Sequence, residues 1–152
     1  MQAEAKAGLL APSGMEETTV DWEALARAAE AARARAHAPY SGFRVGAAAL
    51  FADGTVTSGG NVENASSGLT VCAERHAVAA GVLGGHGALR ALLVVADGEP
   101  PVPPCGACRQ VLAEFADAAL PIQSRSVQGA RAQHTLGQLL PEPFGPGWLR
   151  RR

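Results

Sequence analysis

The chain has three cysteines, and all of them fall in two short runs: Cys72-Ala73-Glu74 and Pro104-Cys105-Gly106-Ala107-Cys108. Thiolates are soft metal ligands, and three of them leave one tetrahedral position of a zinc ion open for water. Glu74 stands two residues after the first cysteine, where a carboxyl group can carry a proton to and from that water. Three sulfurs and one proton carrier are what hydrolytic zinc chemistry requires. Taken alone, Cys105-x-x-Cys108 also fits a redox dithiol, and an isolated cysteine is often an inert buried side chain. A third cysteine beside Glu74 shifts the reading to zinc, one ion per subunit, with Cys72, Cys105 and Cys108 as ligands.

His76 lies four residues beyond Cys72, on the same helix face. As a fourth ligand it would close the site and strand Glu74 beside a dry metal, so it is expected to be a neighbour. Arg109 directly follows Cys108 and Arg75 stands three residues after Cys72; both are expected just behind the ligands, donating to the sulfurs. His37, His86 and His134 lie outside any cluster and read as surface or loop residues.

The ligands must be held by elements that the hydrophobic pattern outlines. Trp22, Leu25, Ala29, Ala32 and Ala36 recur at helical steps from Asp21 until Pro39 ends the helix. Phe43, Val45, Ala47, Ala49 and Phe51 alternate as one face of a strand, Asp53-Gly54 turns, and Thr55 to Ser58 returns as a hairpin. Residues 61 to 69 form a polar loop. A second helix runs from Thr70 or Val71 to Leu83 and stops at Gly84-Gly85. Leu92 to Val95 is a buried-strand run, and a third helix spans Cys105 to Phe115. Strands near Ile122–Val127 and Ala130–His134 flank Gly129, and Thr135 caps a short last helix. Both cysteine runs therefore sit at helix starts, whose positive dipole ends favour thiolates. The fold class is α/β, a three-layer α/β/α sandwich with a mixed, roughly five-stranded sheet.

At 152 residues and a formal net charge of −1, this is one domain without a field for nucleic acid. Residues 19–146 are expected to form it, after a flexible lead-in over 1–18 and before a basic tail over 147–152. No apolar run approaches the length of a membrane span. An odd cysteine count without an export signal points to a reducing cytoplasm.

Read together, the runs Tyr40-Ser41-Gly42-Phe43-Arg44-Val45-Gly46-Ala47, Asn61-Val62-Glu63-Asn64-Ala65-Ser66, Cys72-Ala73-Glu74-Arg75 and Pro104-Cys105-Gly106-Ala107-Cys108-Arg109-Gln110-Val111 resemble cytidine deaminases of the short, homotetrameric, zinc-dependent type. The resemblance continues through Leu139-Leu140-Pro141 and Phe144-Gly145. It implies hydrolysis of cytidine and 2′-deoxycytidine to the uridine products and ammonia: water activated at the metal attacks C4, and Glu74 moves the protons. It also implies that Asn61 and Glu63 grip the ribose hydroxyls, Phe43 packs on the pyrimidine, the Ala73 N–H meets the pyrimidine carbonyl, and Phe144 enters a neighbouring subunit's site. Ser67 replaces a common tyrosine, Gly60 a cysteine, Pro103 a serine or threonine, and His76 a threonine. The partners expected are a small nucleoside and identical subunits, with no nucleic acid and no membrane. Rival readings are a deaminase of a modified cytosine nucleoside of the blasticidin type, a nucleic-acid-editing deaminase, and a structural zinc or redox module.

Overall fold

The computed structural model describes residues 19–149. The expected lead-in over 1–18 and the Arg150–Arg152 end of the expected tail lie outside the described residues.

Asp21 starts helix α1 (Trp22–Ala34) by accepting the Ala24 N–H on its carboxylate at 2.9 Å. Strands β1 (Val45–Phe51) and β2 (Val56–Gly60) form the expected hairpin. Gly54, at φ +88°, supplies the left-handed position its turn requires. Helix α2 (Ala73–Leu83), strand β3 (Leu89–Ala96) and helix α3 (Gly106–Phe115) follow, then strands β4 (Pro121–Ser126) and β5 (Arg131–Thr135). Thr135 and Gln138 close a capping box on the short helix α4 (Leu136–Leu139), and α5 (Pro146–Leu149) ends the described chain.

The sheet order is β2-β1-β3-β4-β5, with β3 and β4 parallel and the other neighbours antiparallel. The mixed five-stranded sheet agrees with the expectation from sequence. Helix α1 buries Leu25, Ala26 and Ala29 against Ala48, Leu50, Leu93 and Val95 on one face. On the other face, Ala73, Ala77 and Val78 of α2 and Leu112 of α3 pack against Ala47, Ala49, Phe51, Leu92, Val94 and Ile122. Strand β1 is thus covered on both sides, which is why its intervening residues are apolar as well. Small alanines on β1 let both helix layers approach closely.

Helix boundaries differ from the sequence reading in one instructive way. α1 ends at Ala34 rather than running to Pro39, because the backbone at 37 is used elsewhere. The His37 N–H donates to the Asn61 carbonyl at 2.9 Å, and the Glu63 N–H donates to the His37 carbonyl at 2.8 Å. α2 begins at Ala73 rather than at 70 or 71, because Val71 pairs with Val62 through two reciprocal 3.0 Å hydrogen bonds. Cys72 and Cys105 are therefore the N-cap residues of α2 and α3, with extended backbone.

Candidate active site

Neither N-cap cysteine spends its side chain on a capping hydrogen bond, so both thiols are available to other partners. Cys108 sits one turn into α3 and is fully buried. The Sγ atoms of Cys72 and Cys105 are 3.8 Å apart, those of Cys105 and Cys108 3.5 Å, and all three lie within 4.8 Å of one another. Thiolates at the usual 2.3 Å around a tetrahedral zinc stand roughly 3.8 Å apart, so the three sulfurs fit that ion. Among the described residues this is the one group of three or more His, Cys, Asp or Glu side chains with ligand spacing.

The electrostatics suit a cation. A hydrogen bond from Cys108, with further help from Arg75 and Cys105, lowers the Cys72 thiol to about 5 against the cost of burial. The same interaction with Cys72, together with burial, pushes Cys108 up. Arg75 Nη2 donates to Cys72 Sγ at 3.7 Å and to the Thr70 carbonyl at 3.2 Å. Its Nε is buried without a partner. Glu74, in the first turn of α2, is only 5 % exposed. Burial, reinforced by the charge of Cys72, raises its carboxyl pKa. A carboxyl that keeps its proton readily, in the first turn after an N-cap ligand, is suited to proton transfer.

Two expectations resolve differently. Arg109 does not donate to the sulfurs. Its Nε donates to the Pro104 carbonyl at 2.7 Å and its Nη1 to the Leu139 carbonyl at 2.8 Å. Both carbonyls lie within reach of one guanidinium fork, so Arg109 braces the turn before Cys105 instead. His76 turns away from the cluster: Nδ1 lies 2.9 Å from the Gly60 carbonyl, on the edge strand. It is a neighbour, as expected.

The remaining candidates fall in two places. Asn61 is buried, accepting the Val45 N–H at 2.8 Å and donating to the Phe43 carbonyl at 2.9 Å. Glu63 accepts the Tyr40 and Ser41 N–H groups on Oε2, at 2.9 and 3.2 Å, and the Ser41 hydroxyl on Oε1. Both residues thus hold the segment that carries the 38 % exposed Phe43. Ala73 is fully buried, and its N–H is among the donors that a helix start leaves without an intrahelical partner. Phe144 is exposed and held on α3: Gln110 Nε2 donates to its carbonyl at 2.8 Å, and its N–H donates to Gln110 Oε1 at 3.2 Å. Ser41 and Gln110 had no assigned role in the sequence. Their signals were a serine before a glycine turn and an amide next to Arg109.

His37 joins the bridge to Val62. The ring of His86 pairs with Asp53 at 2.7 Å, across residues far apart in sequence. Among the described residues, no helix is long and apolar enough to cross a membrane.

Residues 20–123 match the family model described as the cytidine and deoxycytidylate deaminase zinc-binding region. The cytidine deaminase of Sporosarcina psychrophila is 46% identical over 125 residues, covering 82% of this chain and 92% of that protein. The cytidine deaminase of Mycobacterium tuberculosis is 48% identical over 126 residues, covering 83% and 91%. The crystal structure of cytidine deaminase from Burkholderia pseudomallei superposes with a TM-score of 0.78 at 44% identity, covering 82% of this chain and all of that one. That from Mycobacterium leprae gives 0.70 at 42% identity, with coverage of 82% and 100%. With its three sulfurs converging at two helix starts, the chain belongs to the cytidine and deoxycytidylate deaminase zinc-binding family.

Proposed function

We propose that this protein is a zinc-dependent cytidine deaminase that hydrolyses cytidine and 2′-deoxycytidine to uridine and 2′-deoxyuridine, releasing ammonia for pyrimidine salvage. The observation that carries the reading is the convergence of Cys72, Cys105 and Cys108 with Glu74 buried in the first turn of α2. Zinc held by the three thiolates supplies a Lewis acid that makes water nucleophilic near neutral pH. Glu74 would take the first proton lost by the attacking water and deliver it to N3 of the base, then take the second, from the hydroxyl added at C4, and deliver it to the amine, which leaves as ammonia while the C4 carbonyl forms. Each transfer needs a carboxyl fixed next to the reacting atoms, which a first-turn position on a packed helix provides. The Ala73 N–H orients the base through its carbonyl oxygen, and Phe43 covers the ring.

Asn61 and Glu63 select the sugar. Each keeps hydrogen-bonding capacity beyond its backbone partners: one Nδ2 proton and a lone pair on Asn61, and a lone pair on Glu63 Oε1. Polar groups built to hold a hydroxyl discriminate strongly against substrates without one, which favours nucleosides over free bases. Residues 19–146 form the catalytic domain. The functional assembly is a homotetramer in the cytoplasm, where Phe144 meets a neighbour's substrate. Arg75 tunes the charge on Cys72.

The test follows the ultraviolet change of cytidine with the wild type and Glu74→Gln. The wild type converts cytidine, and the variant keeps stoichiometric zinc while kcat falls roughly 10²- to 10⁴-fold. A variant with zinc and wild-type turnover removes Glu74 from its role. A wild-type protein without stoichiometric zinc sinks the whole reading.

A further inference from the structure

The hydrogen bonds around Glu63 are arranged unevenly. Its Oε2 is held by two backbone N–H groups, from Tyr40 and Ser41, which belong to the turn whatever side chains stand there. Its Oε1 is held by one side chain, the Ser41 hydroxyl. Two donors on one oxygen fix the position of that oxygen but leave the carboxylate free to swing about it. A donor on the second oxygen fixes the plane. The same Ser41 Oγ accepts the Phe43 N–H at 2.9 Å, so the hydroxyl spends its proton on Glu63 and a lone pair on Phe43. Gly42, at φ +69° and with its N–H on the Ala38 carbonyl at 3.0 Å, lets the turn close tightly enough for both contacts.

We propose that Ser41 is a positioning residue for substrate affinity: its hydroxyl sets the plane of the Glu63 carboxylate and ties it to the backbone of Phe43. The proposal rests on the reading that Glu63 grips a sugar hydroxyl. A half-exposed glutamate in water samples many rotamers, and a ligand that must first order it loses affinity. The Ser41 relay orders it before the nucleoside arrives. The hydrogen bond from Ser41 is also the leading cause holding the Glu63 carboxyl below the usual carboxylate range, so the charged, accepting form is the one kept in place. Alanine at position 41 leaves both backbone donors on Oε2, frees Oε1, and deprives the Phe43 N–H of its acceptor. The effect belongs to substrate binding rather than to proton transfer, because Ser41 touches neither the cysteines nor Glu74.

Michaelis kinetics on cytidine with Ser41→Ala, Ser41→Thr, Glu63→Ala and the Ser41→Ala/Glu63→Ala double variant test this, with zinc content and melting temperature measured on each. Ser41→Ala is expected to raise KM roughly five- to tenfold with kcat within about twofold of wild type. Ser41→Thr, which keeps the hydroxyl, restores KM. In the Glu63→Ala background the Ser41 substitution shifts KM clearly less than in the wild type, because only its hydrogen bond from the Phe43 N–H is left to act. A wild-type KM for Ser41→Ala alongside a raised KM for Glu63→Ala overturns the role of Ser41 and leaves that of Glu63 standing. A full-sized Ser41 effect without Glu63, failure of threonine to restore KM, or a loss of zinc and melting temperature that accounts for the change also overturns it. A wild-type KM for Glu63→Ala strikes the sugar-binding reading itself, and the proposal falls with it.

Discussion

Gly59→Ala tests whether the placement of α2 on the edge strand governs the chemistry. A Cβ at position 59 would lie 2.6 Å from His76 Cβ, 2.7 Å from the Ala73 carbonyl oxygen and 2.7 Å from the Ala77 nitrogen. None of these is the tip of a flexible side chain, and ordinary contact begins near 3.4 Å. Helix and strand must therefore separate by roughly 0.7 Å in a close-packed layer. Overpacking of this kind costs about 1–3 kcal/mol. Replacing glycine in a strand gains about 0.5–1 kcal/mol from the unfolded chain. The steric term wins, leaving a loss of about 1–2 kcal/mol and a melting temperature lower by roughly 3–6 °C. Ala73 lies between Cys72 and Glu74, so the displacement falls on the proposed metal ligand and the proposed proton carrier. A shift of that size is expected to lower kcat on the order of 10- to 100-fold. Circular-dichroism melting and cytidine turnover measure the two effects. Gly68→Ala, where a Cβ meets nothing within 4 Å, is the control, and its melt is not lowered. Wild-type melting and turnover for Gly59→Ala refute the close-packing argument. A lowered melt with unchanged kcat shows that the strand yields rather than the helix, and breaks the link to catalysis.

Arg75→Ala removes the guanidinium donor to Cys72 and is expected to weaken zinc retention roughly 10- to 100-fold; competition against a chromophoric chelator reads this directly, and unchanged retention denies Arg75 its role. Glu23→Gln addresses stability against pH. Hydrogen bonding to Arg125 holds the Glu23 carboxyl below its ordinary value, so the pair's contribution is complete above about pH 4.3 and fades as pH falls through the lowered value. The urea midpoint of the variant should lie below wild type at pH 7 and converge with it as the pH falls below the lowered value. A gap that persists at low pH contradicts this.

The layers were legible in the sequence because burial imposes a period. Helix α1 showed the period of helical turns and formed over most of its pattern, while β1 showed a continuous apolar run that fits its burial on both faces. The cluster of the three cysteines was legible for a different reason: few residue types can hold a soft metal ion, and this chain uses cysteine nowhere else. Arg109 was not legible. A long guanidinium beside a ligand can reach sulfur or carbonyl, and only the folded path of residues 104 and 139 decides between them. The start of α2 was misplaced by two or three residues where a bridge to Val62 claimed the backbone at Val71. The pairing of His86 with Asp53 is likewise set by the fold, because neither residue carries a local signal for the other.

Those same bridges explain how a stretch that reads as a polar loop can serve a site that needs fixed distances. Val62 forms a parallel bridge to His37 and an antiparallel bridge to Val71. Asn61 and Glu63 flank it on one side, and Cys72 follows Val71 on the other. Two reciprocal hydrogen bonds of 3.0 Å therefore join the segment proposed to hold the sugar to the segment that begins the helix proposed to bear the metal. The side chains of Asn61 and Glu63 then fasten the 40–45 turn to the same frame. A short loop held at three points loses little entropy when a nucleoside binds, because its ordering is completed on folding. The irregular conformation of residues 61–71 is thus compatible with rigidity. The backbone N–H groups of residues 61–63 and 71 are satisfied across the chain rather than along it, which no local pattern in the sequence reveals.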